Sequence, residues 1–482
     1  MKTDLKKIHK AISPECIAIV GRTEGWTRFL REYKGQIISV QIDPERIKVA
    51  ESMGLKNYLS VRDILGHVDL VIVATPREVA PQILEDCIAK GVGCVHFFTA
   101  GFGETGTEKG KEIEQHITSR AHEAGCHVIG PNCMGVFNPG IGLRYSERQF
   151  PSFIGREDAI ANKAGAVSVI SQSGVQLETI SIEGPLQGVD IGKSVSFGNG
   201  IVLESSDFLE YLGQDDEAKV IAMYLEGVRD GKRFFEVLRE VAARKPVVIW
   251  KGGRTEEGGR ATTSHSGSLA IPRTVWESLV KQCGAISVTS LEELMDTCKA
   301  FLYLPRVTGD RVGLVAGSGG RAVTITDSFV EAGLKVPVLT KKTYDELGSF
   351  FRMVGGSMRN PIDLGSNQME HMRIMRILEK DDNVDNLVLL TWAGWELRNQ
   401  PDMFMKHIPE LSDIRSKTSK PLMVILSHIN SANGFQRASE MAQHLRDAGI
   451  PSFPSAERGA RALKRAYDFY SRQKALAAKK NS

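Results

Sequence analysis

One histidine lies in a segment whose residue types suit covalent chemistry. His265 stands between Ser264 and Ser266 within residues 251–269, which are rich in glycine, serine and threonine. A neutral imidazole is a nucleophile near pH 7, and small neighbours let a bulky electrophile approach it. The segment has no apolar face to bury, so it is predicted to be a surface loop that follows an apolar strand over residues 246–250. A solvated loop histidine without a catalytic role is the alternative.

Two further groups are predicted to lie beside this histidine. A strand over residues 220–225 ends at Glu226, and a strand over residues 166–170 ends where a helix begins. The carboxyl ends of parallel strands share one edge of a sheet, so a carboxylate, an anion site and the imidazole are expected to converge. A carboxylate on one imidazole nitrogen makes the other more nucleophilic. The alternatives are a solvated acid and an ordinary helix cap. The predicted anion-binding residues are Ser171, Gln172, Ser173 and Gly174.

A second glycine-rich helix start follows a strand over residues 311–315. Ser318, Gly319 and Gly320 stand at this position, where backbone N–H groups can hold a phosphate. A tight turn between strand and helix, without a ligand, is the alternative.

The elements that must position these residues alternate along the chain. Short β-type segments are separated by helix-length segments, as in residues 16–20, 37–42, 68–74, 94–98 and 127–129. This alternation predicts an α/β fold with parallel sheets and right-handed crossovers. Backbone amides and small hydroxyls at the first five strand ends can cradle a nucleotide phosphate, although ordinary turn glycines are the alternative. The G-x-G-x-x-G fingerprint is absent, so a nicotinamide dehydrogenase is not favoured.

Composition narrows the class of partner. The 482 residues include 61 Lys and Arg against 58 Asp and Glu, a formal net charge of +3, which argues against nucleic acid or a membrane surface. The seven cysteines are dispersed and lack metal-site spacing, so we expect no metal site in this chain and free thiols in a reducing cytoplasm. No signal peptide and no membrane-spanning segment is predicted.

Short motifs follow one another in order along nearly the whole chain. Together they resemble the α subunits of NDP-forming (ADP-forming) acyl-CoA synthetases, of the ADP-forming acetyl-CoA synthetase type in the succinyl-CoA synthetase superfamily. The motifs are Thr99-Ala-Gly-Phe102, Gly130-Pro-Asn-Cys133, Ile170-Ser-Gln-Ser-Gly174, Ser196-Phe-Gly-Asn199, Ser206-Asp-Phe-Leu-Glu-Tyr211, Tyr224-Leu-Glu-Gly227, Lys251-Gly-Gly-Arg254, Ser264-His-Ser-Gly-Ser-Leu-Ala270 and Asn360-Pro-Ile-Asp363.

The resemblance implies a domain order. It implies a Rossmann-like CoA-binding domain over residues 1–150 and a flavodoxin-like domain over residues 151–305 that carries the His265 loop. A second flavodoxin-like ligase domain over residues 306–470 follows. From composition alone, residues 471–482 are predicted to be a short basic tail. The CoA contacts implied at the strand ends of the first domain are Gly21, Arg22, Thr23, Thr75, Pro76, Thr99, Ala100, Gly101, Asn132 and Cys133.

The resemblance also implies an activity. Acyl-CoA, phosphate and ADP or GDP are interconverted with a carboxylic acid, ATP or GTP, and CoA, through a phosphohistidine at His265. Glu226 would hold the imidazole, and the helix start at residues 171–174 would hold the phosphoryl group. No ATP-grasp domain is recognisable, so an ATP-grasp β subunit that carries most of the Mg²⁺ and nucleotide contacts is expected, in an α2β2 assembly or with a homodimer of this chain.

Two departures from the family pattern keep an alternative open. The first loop reads Gly21-Arg-Thr-Glu24, with an acid where CoA phosphates would approach, and Ser318-Gly-Gly-Arg-Ala322 replaces a Gly-Gly-Pro-Gly turn. A CoA- or acyl-CoA-binding regulatory protein, or an acyl or carbamoyl transferase of the same fold, is therefore the second hypothesis. Retention of Ser-His-Ser-Gly together with Glu226 favours the ligase. The acyl group is not specified by the sequence.

Overall fold

Strands that are mostly parallel alternate with helices in the computed structural model, which describes residues 3–149, 152, 163–266, 272–392, 403–427 and 432–480. The chain divides into two units, Met1–Leu291 and Glu292–Ser482. The predicted α/β class with Rossmann-like and flavodoxin-like sheets is confirmed.

The first sheet has the strand order β3-β2-β1-β4-β5-β6, which is the Rossmann order. Its apolar strands are buried, as expected for a parallel sheet covered by helices. The order reverses between β1 and β4, and ligands of such sheets bind at this point. The strands are β1 (Cys16–Gly21), β2 (Gln36–Val40), β3 (Lys56–Tyr58), β4 (Leu70–Ala74), β5 (Cys94–Phe97) and β6 (His127–Ile129). The helices are α1 (Leu5–Ile12), α2 (Thr23–Phe29), α3 (Pro44–Ser52), α4 (Ala80–Lys90) and α5 (Glu108–Ala124).

The second sheet, in the same unit, has the order β12-β11-β10-β8-β9-β7. Its five parallel strands follow the flavodoxin order, and β7 pairs antiparallel with β9 at the edge. The strands are β7 (Gly135–Phe137), β8 (Val167–Ser171), β9 (Ser194–Ser196), β10 (Val220–Leu225), β11 (Val247–Lys251) and β12 (Ile286–Val288). The helices are α6 (Gly174–Leu186), α7 (Ser205–Gln214), α8 (Gly231–Ala242), α9 (Glu256–Ser266), α10 (Arg273–Cys283) and α11 (Leu291–Tyr303), of which α11 passes into the second unit.

The third sheet, in the second unit, has the order β14-β13-β15-β16-β17, again the flavodoxin order. Apolar residues of the strands and helices form buried clusters against it. The strands are β13 (Val312–Ala316), β14 (Ile362–Asp363), β15 (Asn386–Trp392), β16 (Leu422–Ser427) and β17 (Ser452–Phe453). The helices are α12 (Gly319–Glu331), α13 (Lys341–Gly348), α14 (His371–Glu379), α15 (Met403–Lys417), α16 (Ala432–Asp447) and α17 (Ala456–Lys480).

One sequence-based expectation about regular structure is wrong. The predicted loop over residues 251–269 contains helix α9, because Thr255 caps it by accepting from Gly258 N at 3.0 Å and Arg260 pairs with Glu256 one turn away at 3.0 Å. The basic residues at the end of the described chain continue helix α17 as far as Lys480, where alanines and lysines favour a helix. Residues 267–271 lie outside the described part.

Among the described residues, no helix combines the length and the hydropathy needed to cross a bilayer.

Lys299 on α11 is a buried cation in the second unit. Its Nζ donates to the carbonyl oxygen of Ser452 at 3.0 Å and lies 5.2 Å from the ring centre of Phe453. Burial lowers the pKa of Lys299 to about 8, and the Asp296 carboxylate at 4.0 Å opposes this shift only in part. The folded state therefore holds this proton less tightly than the unfolded chain does.

Lys299→Met is expected to remove a pH-dependent part of the stability. The unfolded lysine keeps its proton up to a pKa of about 10.4, so the free energy of unfolding rises between about pH 8 and pH 10, by on the order of 2 kcal/mol. Denaturant titrations of both proteins from neutral pH to about pH 10 measure this rise. Other lysines contribute equally to the two pH profiles, so their effect cancels in the difference between them. The same rise in the variant would contradict the assignment.

Candidate functional site

A cavity of about 610 Å³ lies where the carboxyl ends of the first and second sheets meet. It is open to solvent, and strand-end loops of both sheets form its walls. The sequence-predicted residues that line it are Arg22, Thr75, Pro76, Thr99, Ala100, Asn132, Cys133, Gln172, Ser173, Gly174 and Glu226. Predicted CoA contacts, predicted phosphate contacts and the predicted carboxylate are thus brought to one cavity.

Four of the CoA and phosphate contacts predicted on the first two sheets do not line this cavity. The Thr23 hydroxyl is buried 3.2 Å from Ser39 Oγ and 3.1 Å from Gln41 Nε2, so it packs inside the first sheet. Gly21 has φ of 105°, and a Cβ there would lie 2.2 Å from the carbonyl oxygen of Ala74, so its role is the close approach of β1 to β4. The others are Gly101 and Ser171.

The two walls of the cavity are joined by backbone contacts. Asn199 N donates to Pro131 O at 3.0 Å, and Ile201 N donates to Gly130 O at 3.2 Å. Gly198 has φ of 54°, and a Cβ there would lie 2.2 Å from Pro131 O, so only glycine allows this approach. The relative position of the two sheets at the cavity is therefore fixed by main-chain hydrogen bonds.

Two guanidinium groups give the cavity a cationic side. Arg22 is exposed, and no hydrogen bond or ion pair of its side chain is found with other described residues. Arg77, which the sequence analysis did not select, donates to the carbonyl oxygen of Gly101 and, at 3.2 Å, to Glu78 Oε1. Arg22 is therefore the guanidinium that is available to pair with an anionic group, because Arg77 is already engaged.

Cys133 does not supply a nucleophile to the cavity. Its thiol is buried, and burial raises its pKa well above the usual value, so the group stays protonated near neutral pH. His96 below it contacts the Cys133 carbonyl oxygen through Nε2 at 3.2 Å. Burial lowers the pKa of His96 to about 4, which keeps that imidazole neutral.

The start of helix α6 forms a cradle of backbone N–H groups. Ser173 caps the helix by accepting from Gln176 N at 3.4 Å, and the Ser171 hydroxyl donates to Ser173 O at 2.6 Å. Among the described residues, no acceptor is found for the N–H groups of Gly174 and Val175, and both residues line the cavity. Free N–H groups at the positive end of a helix attract an anion. The Ser171 hydroxyl stabilises this turn through its bond to the Ser173 carbonyl oxygen.

Glu226 lies at the carboxyl end of β10, beside this cradle. Tyr224 Oη donates to Glu226 Oε1 at 3.4 Å, and burial raises the pKa of this phenol to about 12, so it remains a donor. Lys251 Nζ donates to the backbone oxygen of Glu226 at 2.7 Å. The carboxylate is thus placed at the cavity by its neighbours on the same sheet.

The side chain of His265 lies outside the described residues. Its backbone belongs to α9, which begins five residues after β11 ends at Lys251. Strand β11 is the neighbour of β10, so the chain enters α9 from the sheet edge at which Glu226 lies. The distance between the imidazole and Glu226 remains a prediction.

A second cavity, of about 260 Å³, lies in the second unit at the carboxyl ends of β13 and β15. Ser318 lines it, whereas Gly319 and Gly320 do not. Arg321 enters it from the first turn of α12, and His371 enters it from α14. The sequence analysis did not select these two residues, because only the strand order brings α14 against β13 and β15.

Known proteins resemble both parts of this architecture. A CoA-binding domain family matches residues 16–139, and the succinyl-CoA ligase-like flavodoxin domain family matches residues 164–301. The first match covers the sheet that supplies Arg22 and Thr75, and the second covers the sheet that supplies Glu226. The cavity therefore lies between a CoA-binding domain and a ligase-type domain.

Relatives over nearly the full length are ligases. The α subunit of acetate–CoA ligase (ADP-forming) II from Pyrococcus furiosus is 34% identical, over 92% of this chain and 94% of its own length. Acetate–CoA ligase (ADP-forming) from Methanocaldococcus jannaschii is 32% identical over 95% of this chain, which spans 62% of that longer protein. The solved dinucleotide-forming acetyl-coenzyme A synthetase 1 of Candidatus Korarchaeum cryptofilum, in complex with phosphate and ADP, superposes with a TM-score of 0.83 at 27% identity, covering 98% of this chain and 99% of that one. The ligase hypothesis is favoured over the binding or transferase alternative.

Proposed function

This chain belongs to the α subunits of the ADP-forming acyl-CoA synthetases, and we propose that it interconverts acyl-CoA, phosphate and a nucleoside diphosphate with a carboxylic acid, a nucleoside triphosphate and CoA through a phosphohistidine at His265. The observation that carries the proposal is the cavity, because the predicted CoA contacts, the N–H groups at the start of α6 and Glu226 all line it. The acid is left open, although relatives carry acetate in their names.

The proposed reaction proceeds in three steps. A phosphate oxygen attacks the thioester carbonyl, and the C–S bond breaks to release CoA as its thiolate. A ring nitrogen of His265 then attacks the phosphorus of the acyl phosphate, and the P–O bond to the carboxylate breaks. The phosphoryl group finally passes from the ring nitrogen to the terminal oxygen of the diphosphate.

Each side chain of the site has a role in these transfers. Glu226 accepts the N–H of the ring nitrogen that does not react, which fixes the tautomer and stabilises the positive charge that forms on the ring. The free N–H groups of Gly174 and Val175 hold the phosphoryl oxygens. Phosphoryl transfer depends mostly on such positioning and charge neutralisation.

Arg22→Met is expected to weaken CoA binding roughly tenfold, because one charge-assisted hydrogen bond to a phosphate is lost. Isothermal titration of the full chain with CoA measures the dissociation constant. Arg28→Met on α2, the helix that Arg22 directly precedes, is the matched control, since Arg28 is also exposed but does not line the cavity. Equal effects of the two substitutions would remove Arg22 from the CoA site.

A partner subunit completes the enzyme in this proposal. An ATP-grasp β subunit would bind the nucleotide and most of the Mg²⁺, in an α2β2 assembly or around a homodimer of this chain. Support comes from the α-subunit name of one relative and from the greater length of another.

The cytoplasm is the proposed location, because the seven cysteines are buried free thiols. The domain boundaries at residues 150, 305 and 470 stand as part of the proposal.

The test is reconstitution. The full chain with an ATP-grasp β subunit, ATP, Mg²⁺, CoA and a panel of short carboxylic acids is expected to form acyl-CoA together with ADP and phosphate. Neither subunit alone is expected to turn over. Formation of AMP and pyrophosphate in place of ADP, or turnover by this chain alone, would contradict the proposed route.

A further inference from the structure

Both backbone polar groups of Glu226 are held by side chains from the neighbouring strands. Its N–H donates to Gln172 Oε1 at 2.8 Å, and its carbonyl oxygen accepts from Lys251 Nζ at 2.7 Å. Gln172 follows β8 and Lys251 ends β11, and these two strands flank β10 on either side. The main chain of Glu226 is therefore hydrogen-bonded by side chains from both neighbouring strands.

Each of these two side chains makes a second hydrogen bond, which fixes its position. Gln172 Oε1 also accepts from Gly227 N at 2.9 Å, and Lys251 Nζ also donates to Gly252 O at 2.5 Å. The backbone of Gln172 is held in turn, since its N–H donates to Tyr224 O at 2.9 Å. These bonds link three adjacent strand ends into one rigid unit.

Lys251 is a costly residue at this position. It is only 5% exposed, and its Nζ lies 5.6 Å from the ring centre of Trp276. Burial lowers the pKa of Lys251 to about 8. The nearby charge of Glu226 acts in the opposite direction and raises this pKa in part. Burying an ammonium disfavours folding unless its hydrogen bonds are made, and an apolar residue would avoid that cost.

We propose that Gln172 and Lys251 are positioning residues for phosphoryl transfer, which act by fixing the main chain of Glu226 so that its carboxylate is presented to the imidazole. The inference rests on the proposed function, because it needs Glu226 to act in that transfer. For Gln172 this role is additional to the predicted phosphate contact, since the side-chain oxygen is engaged by two backbone N–H groups.

Phosphoryl labelling of the full chain tests the proposal without the partner subunit. The chain is incubated with ³²P-labelled acetyl phosphate and with longer acyl phosphates, and the rate of label transfer to protein is measured at several concentrations. Lys251→Met and Gln172→Leu are each expected to lower the maximal rate roughly tenfold or more, because small displacements of a catalytic group have large effects. The concentration for half-maximal rate is expected to change little.

Three further variants separate positioning from general damage. Lys299→Met is the matched control, because Lys299 is also a buried lysine bonded to a backbone oxygen but does not contact Glu226. It is expected to label at the wild-type rate. Lys251→Gln keeps a donor and is expected to recover part of the rate. In a Glu226→Gln background, Lys251→Met is expected to lower the rate by no more than about twofold further, because coupled residues are not additive.

The outcomes are distinct. Equal losses from Lys251→Met in the wild-type and Glu226→Gln backgrounds would overturn the positioning role, as would wild-type labelling by both Lys251→Met and Gln172→Leu. A Lys251→Met protein that does not fold leaves Lys251→Gln and Gln172→Leu to decide in the same two backgrounds. A wild-type chain that takes no label from any acyl phosphate overturns the proposed function, and this inference with it.

Discussion

Replacing His265 with asparagine is expected to abolish phosphoryl transfer to this chain. Asparagine keeps a polar side chain of similar size but has no nitrogen that can carry a phosphoryl group at neutral pH. With the β subunit, acyl-CoA formation is expected to fall by at least about 1,000-fold, since the covalent intermediate can no longer form. Both labelling from acyl phosphate and steady-state turnover measure this loss.

The control for that substitution is a histidine that lies away from the cavity. His116 on α5 is exposed and does not line the cavity, so His116→Asn is expected to label and turn over as the wild type does. CoA binding by His265→Asn is expected to be unchanged, because the predicted CoA contacts lie on the first sheet. A His265→Asn protein that labels normally would remove the proposed intermediate.

Glu226→Gln is expected to lower the rate of phosphoryl transfer by about 100- to 1,000-fold. The substitution keeps the shape of the side chain but removes the charge that stabilises the imidazolium, and the amide can present a donor to the ring N–H. The backbone bonds of residue 226 to Gln172 and Lys251 do not depend on the side chain and are expected to persist. Single-turnover labelling from acyl phosphate measures the effect.

A glutamate on the helix that follows β10 serves as the control. Glu240 on α8 is exposed and pairs with Arg244 at 3.1 Å, so Glu240→Gln is expected to leave the labelling rate unchanged. Labelling by Glu226→Gln at the wild-type rate would mean that another group orients the imidazole, and the role given to Glu226 would then be wrong.

The architecture was largely predictable from sequence because apolar strand segments and helix-length segments alternate clearly. The short strands β3 and β14 were missed, since residues 56–58 are polar and residues 362–363 directly follow a proline. Helix α9 was missed because a segment rich in glycine, serine and threonine shows no amphipathic period. Its cap by Thr255 and its Glu256–Arg260 pair are local signals that can identify such a helix.

Part of the site was predictable for a simple geometric reason. Glu226 and Gly174 were expected at one edge of the sheet because parallel strands end there together, and both line the cavity. The direction of individual side chains was not predictable. Thr23 points into the sheet because Ser39 and Gln41 meet it there, and Gln172 turns to the backbone of Glu226, 54 residues away. Such contacts depend on packing between distant segments.

The central claim is that one imidazole carries the phosphoryl group between the thioester-derived acyl phosphate and the nucleotide. Its most direct measurement is the position of the phosphoryl group on the wild-type chain after brief reaction with acyl phosphate, by mass spectrometry of peptides kept at alkaline pH. A phosphoryl group on His265 that is stable in base and lost in acid is the predicted result. A phosphoryl group on a serine, threonine or another histidine, with His265 unmodified, would contradict it.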